Sequence, residues 1–216
     1  MPYRRTANVV RRLAEREQAI LTAASRLAAE GGMAAVQIAA VADRAGIAAG
    51  TVYRYFPSKN DLVAEVMNTV ANRELLAMRA AANAAPGPLS ALAAAIATFA
   101  ARALAERRLA WAVIAEPVDA EVDALRLDFR QSLAAELETR ILAATTRGLL
   151  PEQDARVTAP AIVGALMEGL LGPLAPTYDS EGQAREAVQT AALLALRAVG
   201  IVDARARGLV AQCVLP

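Results

Sequence analysis

The stretch Gln37–Phe56, QIAAVADRAGIAAGTVYRYF, reads as a short helix, a glycine-marked turn and a second short helix that ends in aromatics. Two short helices crossing at a steep angle need a residue between them that takes a positive φ at little cost, and Gly46 supplies it. Before the turn, Ile38, Val41, Ala42 and Ala45 recur at helical spacing and give the first helix one apolar face. After it, Ile47 and Val52 are placed to close the same small core. Ala49, Thr51, Tyr53, Arg54 and Tyr55 are left to point outward. A surface holding a hydroxyl, two phenols and a guanidinium suits phosphates and base edges. Phe56-Pro57 stops the second helix, because the residue before a proline is pushed out of the α region. Ser58 is a good N-cap, so a new helix is expected from Lys59. A cation in a first helical turn is disfavoured unless an anion lies nearby, and a DNA phosphate would be that anion.

The segment GIAAGTVYRYFPSKNDL, within a longer block from about Arg12 to Leu62, resembles the signature of the tetracycline-repressor (TetR) family of transcriptional regulators. The matching residues are Val41-Ala42, Ala45-Gly46, Gly50-Thr51, Tyr53, Phe56, Ser58-Lys59 and Leu62. Two positions differ. Gln37 stands where the family usually has threonine at the head of the first motif helix, and Ala48 where it usually has serine at the start of the recognition helix. Loss of that serine removes a cap worth about 0.5–2 kcal/mol. The candidate DNA-contacting set is Gln37, Ala49, Thr51, Tyr53, Arg54, Tyr55 and Lys59.

Composition agrees with a helical fold. Hydrophobic residues make up 56% of the 216-residue chain and aromatics only 4%, so the core has to be built from Ala, Leu, Val and Ile. Alanine favours helix and no alternating strand pattern stands out, which predicts an all-α protein. The net charge of +1 hides an asymmetry. Residues 1–60 hold nine Lys or Arg against four acids, whereas the rest of the chain holds fourteen against eighteen. A basic end on an acidic body is the footprint expected when one end meets phosphates. The single cysteine, Cys213, allows no intrachain disulfide and favours a reducing, cytoplasmic compartment. No run of about 18 apolar residues is free of charge or proline, so no membrane span is expected.

Around the motif, residues 1–12 read as a basic flexible arm, and 13–58 as a three-helix DNA-binding domain whose first helix, Leu13 to Glu30, ends at Gly31-Gly32. Residues 59–82 form a connecting helix, which the resemblance implies joins the DNA-binding domain to the body. The sequence NAAPGP at 83–88 is a break. Residues 83–201 then read as a helical ligand-binding and dimerisation domain. Its helices are expected at about 89–105, 109–116, 120–146, 154–171 and 181–199, followed by a tail at 202–216. The last two of those helices are apolar on more than one side and need a partner beyond their own core. The resemblance implies a homodimer through them.

Catalysis has little to stand on: the chain has no histidine, no Walker or dinucleotide loop, and no metal or cofactor motif. A ligand pocket is the sharper expectation. Met78, Phe99, Trp111, Phe129 and Met167 fall on helices expected around the centre of the second domain, with Glu116 and Glu168 as possible polar groups, although each also reads as core filling or a solvated charge. The scarcity of charge there favours a small apolar effector. Together these features describe a DNA-binding regulator, read as a repressor released from a palindromic operator by its ligand. The alternative is an all-α ligand-binding or scaffold protein that no longer binds DNA, which the Gln37 and Ala48 differences leave open.

Overall fold

A computed structural model describes residues 7–117 and 119–213. Among them the regular structure is all helical. Helix α1 spans Ala7–Gly31, and a 3-10 turn follows at Met33–Ala35. The motif helices are α2 (Ile38–Ala45) and α3 (Ala49–Tyr53), and α4 (Lys59–Ala84) leads into the body. The body is completed by α5 (Pro88–Ala105), α6 (Arg107–Ile114), α7 (Ala120–Thr146), α8 (Ala155–Leu170), α9 (Glu181–Ala198) and α10 (Asp203–Ala211).

The sequence expectations hold for most of these elements and need correcting at both ends. Helix α1 begins at Ala7, so Asn8 to Arg12 are helical and only residues 1–6 of the expected arm lie outside the described residues. The Arg11 guanidinium donates to Asn8 at 2.9 Å and pairs with Glu15 at 3.6 Å, the i,i+3 and i,i+4 spacings that support a helix. The tail also contains a helix. Gly200, at φ 94°, ends α9, and α10 then buries Ala206 and Val210 against α5 and α9. Arg207 donates to Asp203 at 2.9 Å within its first turn.

Helix α5 is the centre of the body, in contact with α4, α7, α9 and α10. Leu92, Ile96 and Phe99 are buried along it, interleaved with buried Ala93, Ala95, Ala97 and Ala100. Each large side chain so buried contributes about 1.5–3 kcal/mol, and the alanines let neighbouring helices approach closely. This helix is long and apolar enough to cross a bilayer, but most of it is enclosed by other helices. Glu136 of α7, 7% exposed, ties α7 to α4: it accepts from Arg79 at 3.0 Å and from Arg140 at 2.8 Å, while Arg140 also reaches Asn83.

Two local devices set the amino-terminal end against this body. Ser58 caps α4 in a reciprocal box: its Oγ accepts from the Asp61 N–H at 3.1 Å, and Asp61 accepts from the Ser58 N–H at 2.9 Å. At the other contact, Glu116, just after α6, accepts from Arg108 at 2.8 Å and from the Met33 N–H at 3.3 Å. Gly32 makes room for this joint. Its backbone has φ 75° and ψ −172°, and an added Cβ would stand 1.9 Å from Arg108 Nη2 and 2.4 Å from Glu116 Oε2.

Gly32→Ala is therefore expected to destabilise the protein by about 1–3 kcal/mol through backbone strain, with the clash adding to it. Ser58→Ala is expected to cost about 0.5–2 kcal/mol. Thermal or urea denaturation of the two variants beside the parent checks both.

Candidate nucleic-acid interface and effector cavity

The motif turn is made by backbone hydrogen bonds around Gly46, which sits at φ 66°, ψ 35°. Its N–H reaches the Asp43 carbonyl at 3.1 Å, and the Ile47 N–H reaches the Ala42 carbonyl at 3.0 Å, closing the end of α2. Ile38, Val41, Ala42 and Val52 are buried, and Ile47 is half-buried against them. The Arg44 guanidinium donates to Glu30, one of the two contacts measuring 2.8 Å, and so fastens α2 to the end of α1. That hydrogen bond holds the Glu30 carboxyl below its ordinary range, with the neighbouring positive charge as a lesser cause. Ala48 stands at the N-cap of α3 with extended backbone and no side-chain cap.

This packing exposes one end of α3. Ala48, Ala49, Gly50 and Arg54 are exposed, Tyr53 is 52% exposed, and Thr51 is half-buried. Gln37, the N-cap of α2, is exposed and its amide donates to the Ala34 carbonyl at 2.9 Å. Tyr55 is more committed. It is half-buried against the core and lines a cleft beneath α1 together with Arg12 and Arg16. Lys59, the chain's one lysine, is half-buried at the first position of α4, with Asp61 two residues on. Arg12 and Arg16 are outside the candidate set: Arg12 falls at the end of the expected arm and Arg16 in the expected first helix. As part of α1 they lie beside Tyr55.

The seven candidate ligand residues do not meet at one point. Phe99 and Phe129 share the wall of a narrow cavity of about 10 Å³, with Val70, Leu109, Val113 and Ile114 around them. That volume holds about one water. Met78 fills the core on α4, and Trp111 is half-buried on α6. Met167 is buried on α8, while its neighbour Glu168 is exposed and reaches back toward Gly172. Glu116 belongs to the joint at Met33. The polar side of the cavity consists instead of residues the sequence reading passed over. Glu74 of α4 accepts from Arg102 at 2.6 and 3.0 Å and from Arg73 at 2.8 Å, and Arg73 reaches Glu106 at 2.6 Å. A signal was present: Glu74 lies one turn from both Val70 and Met78 on the apolar stripe of α4.

The second large surface feature is an apolar groove of about 780 Å³ along α8 and α9. Ala161, Ala165, Ala187 and Ala191 line it, with Val157 66% exposed and Leu194 57% exposed. Cys213 lies away from both, beside α10, and burial pushes its thiol pKa up.

Comparison with known proteins matches this geometry at the amino-terminal end. Residues 20–66 match the family described as bacterial regulatory proteins, tetR family. The HTH-type transcriptional repressor KstR of Mycobacterium tuberculosis is 53% identical over 53 residues, 24% of this chain and 24% of that protein. KstR of Rhodococcus jostii is likewise 53% identical over 53 residues, 25% of its length. The match thus spans about a quarter of these relatives. The whole fold is shared more widely. The regulator FadR of Bacillus subtilis, solved with stearoyl-CoA, superposes with a TM-score of 0.70 at 20% identity, over 86% of this chain and 99% of FadR. RolR, solved with resorcinol, gives 0.64 at 22% identity over 94% and 98%. Residues 20–66 thus carry the motif of the tetR family of bacterial regulatory proteins, and the all-helical body has the fold of FadR and RolR.

Proposed function

We propose that the protein is a DNA-binding transcriptional repressor that acts as a homodimer in the cytoplasm and leaves a palindromic operator when a small molecule binds its body. The observation that carries this reading is the exposed end of α3, where Tyr53, Arg54 and Thr51 stand beside the half-buried Lys59 on a rigid, Gly46-pinned turn. Thr51, Tyr53, Tyr55 and Lys59 hold phosphates, with Gln37 at the edge of the same surface. Arg54 and Ala49 face bases, and Arg54 takes a guanine edge. Similarity to KstR over the same residues supports a repressor.

The groove along α8 and α9 supports a dimer. Two copies of this apolar face, laid together, form a four-helix bundle and leave the amino-terminal ends free for two half-sites about one DNA turn apart, roughly 34–36 Å. The effector enters the body at the cavity walled by Phe99 and Phe129. FadR and RolR, solved with ligands of different kinds, share this helical architecture. The same cavity wall includes α6, whose end carries the Glu116 joint to Met33, so a ligand that moves α6 changes the seating of the DNA-binding end. No reaction is assigned to any residue; the reading is regulatory.

Arg54→Ala is expected to relax sequence preference at one base pair per half-site, a loss of about 1–3 kcal/mol of discrimination, while Lys59→Ala weakens binding to all DNA alike and lowers the salt slope. Binding titrations against DNA upstream of the gene, at several salt concentrations, check this. An unchanged sequence preference in Arg54→Ala would remove Arg54 as the base reader. Leu194→Glu, which puts a charge into the α8–α9 groove, is expected to shift the protein to monomer in sedimentation or light scattering and to abolish operator binding.

A further inference from the structure

Arg126 is the side chain that, among the described residues, holds buried nitrogens with no hydrogen-bond acceptor: Nε and Nη2 are both enclosed and neither donates. Nη2 lies against the carboxylate of Asp123, one turn earlier, as an ion-pair contact without hydrogen-bond geometry, and that carboxylate is itself 61% exposed. The other buried charges are treated differently. Glu74 accepts from two guanidiniums and Glu136 from two more. The fold completes its buried carboxylates and leaves one buried guanidinium incomplete, an arrangement that costs stability unless something else fills it.

The position of Arg126 indicates what that is. It belongs to the buried stripe of α7, between Val122 and Phe129, one helical turn from each. Phe129 is on the wall of the narrow cavity. Val122 is on the wall of a second cleft, of about 160 Å³, shared with Met33, Val63 and Glu116. The Glu116 carboxylate is already engaged by Arg108 and Met33.

We propose that Arg126 anchors an anionic effector, one with an apolar body and a carboxylate or phosphate head. This rests on the effector reading above and names the chemistry of the effector. The head takes the Nε and Nη2 hydrogens as a two-oxygen acceptor, for which a guanidinium fork is shaped. The body lies toward Phe129, Phe99 and Ile114. Because the cavity holds only about one water in this state, the occupant spreads α6 from α7, and the corner between those helices carries Glu116. The apolar effector expected from the sequence thereby becomes an amphiphile.

The test is calorimetric titration of the full-length protein with decanoate, decyl phosphate and decanol, repeated on Arg126→Met and Arg126→Lys, with melting curves for each protein alone. At least one of the two anions is expected to bind the parent tenfold or more tightly than decanol, and which one identifies the head group. Arg126→Met is expected to lose that preference, and Arg126→Lys to keep part of it. Without ligand, Arg126→Met is expected to melt about 2–4 °C higher, since an incomplete buried charge has been replaced by an apolar chain. Equal binding of decanol and the anions to the parent, undiminished anion binding by Arg126→Met, or a lower melting temperature or misfolding of that variant would overturn the proposal. Decanol binding that releases DNA would overturn it while leaving the effector reading intact, and failure of all three compounds to bind the parent would count against both.

Discussion

The carboxylate of Glu116 is the contact through which the motif end of this protein is set against its body. It accepts from the Met33 N–H, at the turn that leads into α2, and from Arg108 at the head of α6. Gly32 is the one residue type that permits this arrangement, because its backbone is in a region essentially closed to other residues and its missing Cβ is where the guanidinium lies. From this joint the rest follows. The 3-10 turn sets the start of α2, Gly46 sets the angle to α3, and the Ser58–Asp61 box starts α4 on its course into the body. Glu116 thereby links the head of α6 to the turn before α2.

The body is held by a helical core and by charged pairs between helices. Its hydrophobic core centres on α5, where alanines let four neighbouring helices close in. Its charged side chains are paired across helices at Glu74 and Glu136, which fixes α4 against α5 and α7. Helix α6 is short and begins without a side-chain cap, and at its head Arg107 donates to the Pro176 carbonyl and Arg108 to Glu116. Helices α8 and α9 present an apolar face that the monomer leaves open.

Much of this was legible in the sequence because it is local. The motif depends on residues within twenty positions of one another: Gly46 for the turn, four apolar residues for the face, Pro57 and Ser58 for the exit. Helical periodicity placed the body helices within a few residues, and the two-sided apolarity of α8 and α9 was visible as composition. The features that escaped depend on distance. Met33 and Glu116 are 83 positions apart, and no spacing rule joins them. Grouping Met78, Trp111, Met167 and the two glutamates with Phe99 and Phe129 assumed a common centre that packing does not provide. Glu74 and Arg126 left a different trace, a charge standing on an apolar stripe, which signals a buried pair or an unfilled one. The starts of α1 and α10 were missed because short i,i+4 ion pairs, not long apolar repeats, support them.

The most direct measurement is a hydroxyl-radical footprint of the full-length protein on DNA from upstream of its own gene, with and without an effector. Two protected patches on one face of the duplex, related by a two-fold axis, with their centres about one helical turn apart and both lost when effector is added, are the expected result. Protection of a single patch, protection indifferent to sequence, or none at all would contradict a paired, operator-reading α3.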